Sequence, residues 1–116
     1  MLKRVGMLCI VLLASCTGLP DNVEPVSQFD TEQYLGTWYE IAKYPNWFQN
    51  NCYSNTTATY SPHPDFEGDI LVENRCRLDG PDGEIDYITA RASIVDEETN
   101  AKLNVIFFEP FGGAYW

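Results

Sequence analysis

Beyond residue 36 the apolar positions recur with a period of two, and polar, glycine- and proline-rich clusters interrupt them at regular intervals. The segment "TWYEIAKY" (37–44) reads as a first strand, "CYSNTTATYS" (52–61) as a second and "DILVENRCRL" (69–78) as a third. "EIDYITARASIV" (84–95) is a fourth strand and "AKLNVIFFEPF" (101–111) a fifth, with Gly112-Gly113 as a turn into "AYW", the start of a sixth. The connections "PHPDFEG", "DGPDG" and "DEETN" carry residues that turns favour. Strands at this spacing without intervening helices predict an all-β fold, an antiparallel barrel or sandwich built from hairpins. Ahead of them, "FDTEQYLG" predicts a single helical turn capped by Asp30, with Gln33 three residues on and Gly36 ending it. Residues 17–28 hold two prolines and no periodicity, and read as a tether.

Alternation also assigns faces. A loop centred near His63 and Pro64 would set Cys52 opposite Cys76 on adjacent strands, where a disulfide could stabilise the fold by roughly 3–4 kcal/mol. Two free buried cysteines are the alternative. The same register groups Cys52, Ser54, Thr56, Ala58 and Tyr60 with Ile70, Val72, Asn74 and Cys76. Leu71, Glu73 and Arg75 form the wetter face of the third strand. Ile88 and Ala90 on the fourth strand and Val105 and Phe107 on the fifth continue the inward set. Small residues between aromatics leave room that a tightly packed core would fill with Leu, Ile and Val. Ala58, Tyr60, Val72, Ile88, Ala90, Val105 and Phe107 are therefore the expected ligand-contacting residues of a cavity.

The first residues stand apart from this pattern. "MLKRVGMLCIVLLASC" has a basic start and an apolar run from Val5 to Leu13. The run is shorter than the ~20 residues a bilayer-spanning helix needs and fits a secretory signal peptide. Its end, "LASC", resembles the lipobox of bacterial lipoproteins, which implies cleavage before Cys16 and lipidation of that cysteine. Thr17 in the next position implies, by the same resemblance, the outer membrane. An ordinary signal peptide with an incidental cysteine is the alternative. The expected organisation is a leader over 1–15, a lipidated cysteine and tether over 16–28, and one domain over 29–116.

The charge is strongly one-sided: 7 basic against 17 acidic residues, a formal −10 at pH 7. Lys3 and Arg4 leave with the leader, which brings the remainder to near −12. Such a surface repels phosphate backbones and anionic membrane faces, so no nucleic-acid partner is expected, and membrane attachment falls to the lipid. The 14% aromatic content and clear strand pattern exclude a disordered acidic chain. Catalytic chemistry is sparse. His63, the single histidine, sits between two prolines and reads as a turn residue. There is no Cys-X-X-Cys or His pair, and the carboxylates of "DEETN" and "DGPDGEID" lie in connections where solvated surface is the ordinary role. No metal, no cofactor and no enzyme activity is expected.

"YLGTWYEIAKYP" resembles the Gly-X-Trp-Tyr signature at the start of the lipocalin barrel. The later "NNCYSNTTATYSP", "GDILVENRCR" and "AKLNVIFFEPFGGAYW" are similar to the bacterial lipocalins and their relative apolipoprotein D, so the resemblance spans nearly all of residues 29–116. It implies an up-and-down calyx of eight strands that carries small hydrophobic molecules. In the bacterial subgroup it implies a lipid anchor at the outer membrane and fatty-acid or lysophospholipid ligands. Trp38 matches the tryptophan that closes the barrel base, with Gly36 giving the tight turn before it. Trp47 and Phe48 fall in the loop at the open end, as entrance residues or as a hydrophobic plug. The chain departs from the pattern in offering five strands and the start of a sixth, without the family's late arginine or terminal helix. The expectation is a fragment of a longer protein; a naturally short chain would aggregate or pair as a homodimer. Two further readings are a lipocalin-fold enzyme acting on a lipid or isoprenoid, using Cys52, Cys76 or Tyr60, and a truncated protein without a ligand.

Overall fold

Asp30 opens the first element of secondary structure: its side chain accepts a hydrogen bond from the Gln33 amide at 3.2 Å and caps a one-turn helix, α1 (Thr31–Tyr34). The computed structural model describes residues 22–45 and 49–115. The leader, Cys16, Trp47 and Phe48 lie outside those residues. After α1, six strands follow: β1 (Gly36–Tyr39), β2 (Cys52–Pro62), β3 (Ile70–Leu78), β4 (Ile85–Ile94), β5 (Leu103–Phe108) and β6 (Phe111–Tyr115). They form one antiparallel sheet in the order β1-β2-β3-β4-β5-β6, each strand hydrogen-bonded to its sequence neighbours. Among the described residues β1 and β6 are edges and do not pair with each other, so the sheet is an unclosed up-and-down barrel wall.

Three expectations are corrected. The first strand is half the expected length: pairing ends at Tyr39↔Thr57, and after one more bond, Glu40 N–H to Thr56 at 3.0 Å, the chain leaves the sheet. Ile41 and Tyr44 are consequently 92% and 93% exposed. β1 pairs on one side only, so its alternation lacks a second neighbour to extend it. The expected fifth strand is two strands, because Glu109-Pro110 turns the chain and Phe111 comes back opposite Phe108. Gly112-Gly113 lies inside β6 rather than forming the turn. Gly112 sits opposite Ile106, and a Cβ on it would fall 2.5 Å from the Asn104 amide oxygen, so a glycine is needed for this close approach.

The third correction concerns register. Next to the β2–β3 loop, Pro62 opposes Ile70 and Tyr60 opposes Val72, which centres the loop on Phe66 rather than His63. Cys52 falls opposite Leu78, not Cys76. Two irregularities, between Cys52 and Ser54 and between Ser54 and Thr57, each give β2 one extra residue, and Asn55 there has φ +53°. These bulges bring Cys52 to within 5.4 Å (Cα–Cα) of Cys76, and a disulfide joins the two.

Ile70, Val72, Ala90 and Ala92 are the buried centre of the inward face, with Leu35, Tyr60, Leu103 and Val105 packed against them. Each buried Ile or Val contributes about 1.5–3 kcal/mol. The opposite face is held by polar contacts. Arg91 on β4 donates to Asp69 at 2.6 Å and to Glu109 at 2.6 and 2.9 Å, and its guanidinium lies 4.2 Å from the Phe66 ring centre. These partners raise the Arg91 pKa, the Asp69 hydrogen bond most. One side chain thus ties the start of β3, the middle of β4 and the β5–β6 turn together.

Candidate functional site: two apolar chambers

The inward face carries two adjoining cavities. The inner one, about 620 Å³, sits at the end of the sheet where α1 crosses. Val26, Phe29 and Tyr34 form its floor, and Tyr60, Ile70 and Leu103 belong to its wall. Phe29 is held there by its amide, which donates to the Thr99 carbonyl at 2.8 Å. Pro25 and Val26, in the segment expected to be a free tether, line this chamber.

An aromatic chain closes that end. The Tyr34 ring stacks on Trp38 at 5.0 Å and meets Phe29 and Tyr60 edge-on at 5.0 and 4.8 Å. Trp38 Nε1 donates to the Tyr34 carbonyl at 2.8 Å. Gly36 opens β1 opposite Tyr60 with φ +111°. Burial, reinforced by the neighbouring Tyr34 hydroxyl, pushes the Tyr60 phenol well above the ordinary tyrosine range, and burial raises Tyr115 as well. Both phenols are therefore neutral hydrogen-bonding groups at physiological pH.

The second cavity, about 600 Å³, lies at the end where the β1–β2, β3–β4 and β5–β6 connections gather. The Cys52–Cys76 disulfide, Ile88, Phe107, Phe108 and Phe111 give it an apolar lining, with Arg75 and Asp86 as its charged members. Asn74, Val105, Phe107 and Gly113 line both cavities, so the two are neighbours across these residues.

Of the expected contact residues, Tyr60 and Val72 line the inner chamber, Ile88 the outer, and Val105 and Phe107 both. Ala58 and Ala90 line neither. Ala90, 4% exposed, belongs to the core cluster itself, and Ala58 is half-buried between Trp38 and Asn74. Ile70, Ala92 and Leu103 line the inner chamber and share the inward parity that selected the others, so alternation alone could have named them. Val26, Phe29 and Tyr34 carried no such signal, because their place depends on how the segment before β1 folds back.

Among the described residues the site holds no reactive constellation. Both thiols are spent in the disulfide. His63 Nδ1 accepts from the Asp65 amide at 3.1 Å inside its loop, and among the described residues no cluster of ligating side chains could hold a metal ion. What the arrangement can do is bury an apolar molecule.

Comparison with known proteins agrees with this architecture. Residues 29–116 match the lipocalin-like domain model. The chain is 40% identical over 109 residues to outer membrane lipoprotein Blc of Vibrio cholerae, covering 94% of this chain and 61% of that protein. It is 37% identical over 107 residues to the Blc protein of Escherichia coli K12, covering 91% and 58%. It is 34% identical over 122 aligned positions to rat apolipoprotein D, covering 92% and 61%. The chain thus spans about 60% of the length of these curated relatives. With the Gly-X-Trp-Tyr strand at the closed end, the up-and-down order of six strands and a family match from Phe29 onward, this chain belongs to the lipocalin family.

Proposed function

We propose that the protein is a lipid-anchored lipocalin of the outer membrane that binds small hydrophobic molecules, single-chain amphiphiles such as fatty acids or lysophospholipids, in the two adjoining chambers. The observation that carries this reading is their adjacency: two apolar compartments of about 600 and 620 Å³ share Val105 and Phe107 as lining, one reaching the disulfide end and the other the tyrosine floor. Each falls within the ~300–1,000 Å³ typical of ligand sites. Apolar burial of the ligand's chain supplies the driving force, and the few polar lining groups set its orientation. The names of the Blc relatives and the "LASC" segment support attachment through Cys16.

Fatty-acid titration of the purified protein tests binding, read by tryptophan fluorescence. Saturable quenching is the expected result; a linear, non-saturating response would remove the carrier reading. Anchoring is tested separately by a Cys16→Ala variant, which should leave the membrane fraction. Its retention there would sink the anchor.

A further inference from the structure

The two chambers differ in charge. Among the described residues, neither a carboxylate nor a cation lines the inner chamber; its oxygen-bearing side chains are the phenols of Tyr34, Tyr60 and Tyr115, and Asn74 at the junction with the outer one. None of the domain's basic side chains is among the residues lining the inner chamber; Lys102, next to the lining residues Ala101 and Leu103, acts on the Asp96 carboxylate. Lys43 reaches Glu40 at 3.4 Å, Arg75 pairs with Glu73 at 2.6 Å, and Arg91 is held by Asp69 and Glu109. Arg77 donates to the Gly83 carbonyl at 3.0 Å. Arg75 is the one of them that lines a chamber, the outer. An ionised head group moved to the tyrosine floor would therefore lose its hydration without meeting a counter-charge, inside a domain that is itself strongly acidic. An uncharged oxygen meets neutral phenols, which both donate and accept.

We propose that the inner chamber selects an uncharged, oxygen-bearing end of the ligand (a hydroxyl, ketone or ester), received by the Tyr34, Tyr60 and Tyr115 phenols, while an ionised carboxylate stays in the outer chamber at the mouth. This rests on the carrier reading above and adds a direction to it. A fatty acid enters tail first, and a fatty alcohol or ester is free to enter with its oxygen leading. Trp38, stacked on Tyr34, is a built-in reporter of the floor.

The test compares decanol, methyl decanoate and decanoate on the purified protein by tryptophan fluorescence. Tyr34→Phe and Tyr60→Phe keep the rings and remove the hydroxyls. Each variant should weaken decanol and methyl decanoate about fivefold and leave decanoate at about pH 8 within about twofold. Equal loss for decanoate, or no loss for decanol, would overturn the proposal and leave the carrier reading standing. The unaltered protein supplies a measurement that needs no variant. Decanoate affinity should rise about tenfold from about pH 8 to about pH 5 as its carboxyl begins to protonate, while decanol stays flat. A pH-independent decanoate affinity equal to that of decanol overturns the selection. If none of the three probes binds, the carrier reading fails and the selection fails with it.

Discussion

Trp38 and Tyr34 are joined twice: the indole N–H donates to the Tyr34 carbonyl at 2.8 Å, and the two rings stack with centroids 5.0 Å apart. The bond satisfies a carbonyl at the end of α1 that has no intrahelical partner, and the stack fixes the helical turn across the end of the sheet. Trp38 is 48% exposed, so its contribution is that of these two contacts rather than of full burial. Trp38→Phe should cost about 1 kcal/mol through the lost donor, and Trp38→Ala about 2 kcal/mol once stacking is lost as well. Urea denaturation checks both. Equal stability of the Phe and Ala variants would show that the stack contributes nothing.

The disulfide closes a loop across 24 positions, and the bulges of β2 place Cys52 for it. Removing it by Cys52→Ala with Cys76→Ala should lower stability by about 3–4 kcal/mol, chiefly by freeing the unfolded chain. The same loss should follow reduction of the unaltered protein with dithiothreitol, as read by its thermal midpoint. A midpoint unmoved by reductant would mean that the bulges hold the register without the bond.

Gly112 and Asn104 lie on neighbouring strands in a contact that a methyl group could enter only if the Asn104 side chain moved: an added Cβ would sit 2.5–2.8 Å from three atoms of the Asn104 amide. Gly112→Ala should destabilise by about 1–2 kcal/mol, because the obstruction is a side chain that can rotate rather than backbone. Combining it with Asn104→Ala should recover most of that loss, giving a coupling of about 1 kcal/mol in a double-mutant cycle. Simple additivity of the two changes would show that the contact is not the cause.

Asp96 organises the β4–β5 connection. Its carboxylate accepts from the Thr99 hydroxyl at 2.6 Å and the Glu98 amide at 3.1 Å, while its carbonyl accepts from the Asn100 amide at 2.9 Å. The Thr99 bond, more than the others, holds the Asp96 pKa below the ordinary value. A depressed carboxylate contributes stability that is complete above its unfolded-state pKa of about 3.9 and is lost as pH falls through the lower folded value. Stability should therefore decline below about pH 4, and Thr99→Val should shrink the part of that decline due to Asp96. Urea midpoints measured from about pH 6 down to about pH 2 give the comparison. Identical slopes for the two proteins would separate Asp96 from the acid response.

Local chemistry was enough to determine much of this protein. Alternation identified β2, β3 and β4 almost to the residue, since each has a neighbour on both sides and one buried face to enforce its period. The Asp30 cap and the Asp79–Gly83 turn were legible because they depend on residues a few positions apart. Tyr60, Val72, Ile88, Val105 and Phe107, singled out by inward parity, line the chambers. The tertiary structure decided the rest. Where β1 ends depends on pairing that its own residues do not encode, and whether Gly112-Gly113 is turn or strand depends on β6 pairing with β5, with Gly112 opposite Ile106 and Gly113 opposite Val105. The register that joins Cys52 to Cys76 comes from two bulges, each adding one residue to β2 that alternation cannot count. The tyrosine floor arises because the segment before β1 folds back on the sheet and sets Phe29 and Tyr34 against Tyr60. A period of two reports which side of its own strand a residue faces. Only long-range packing determines what lies opposite it.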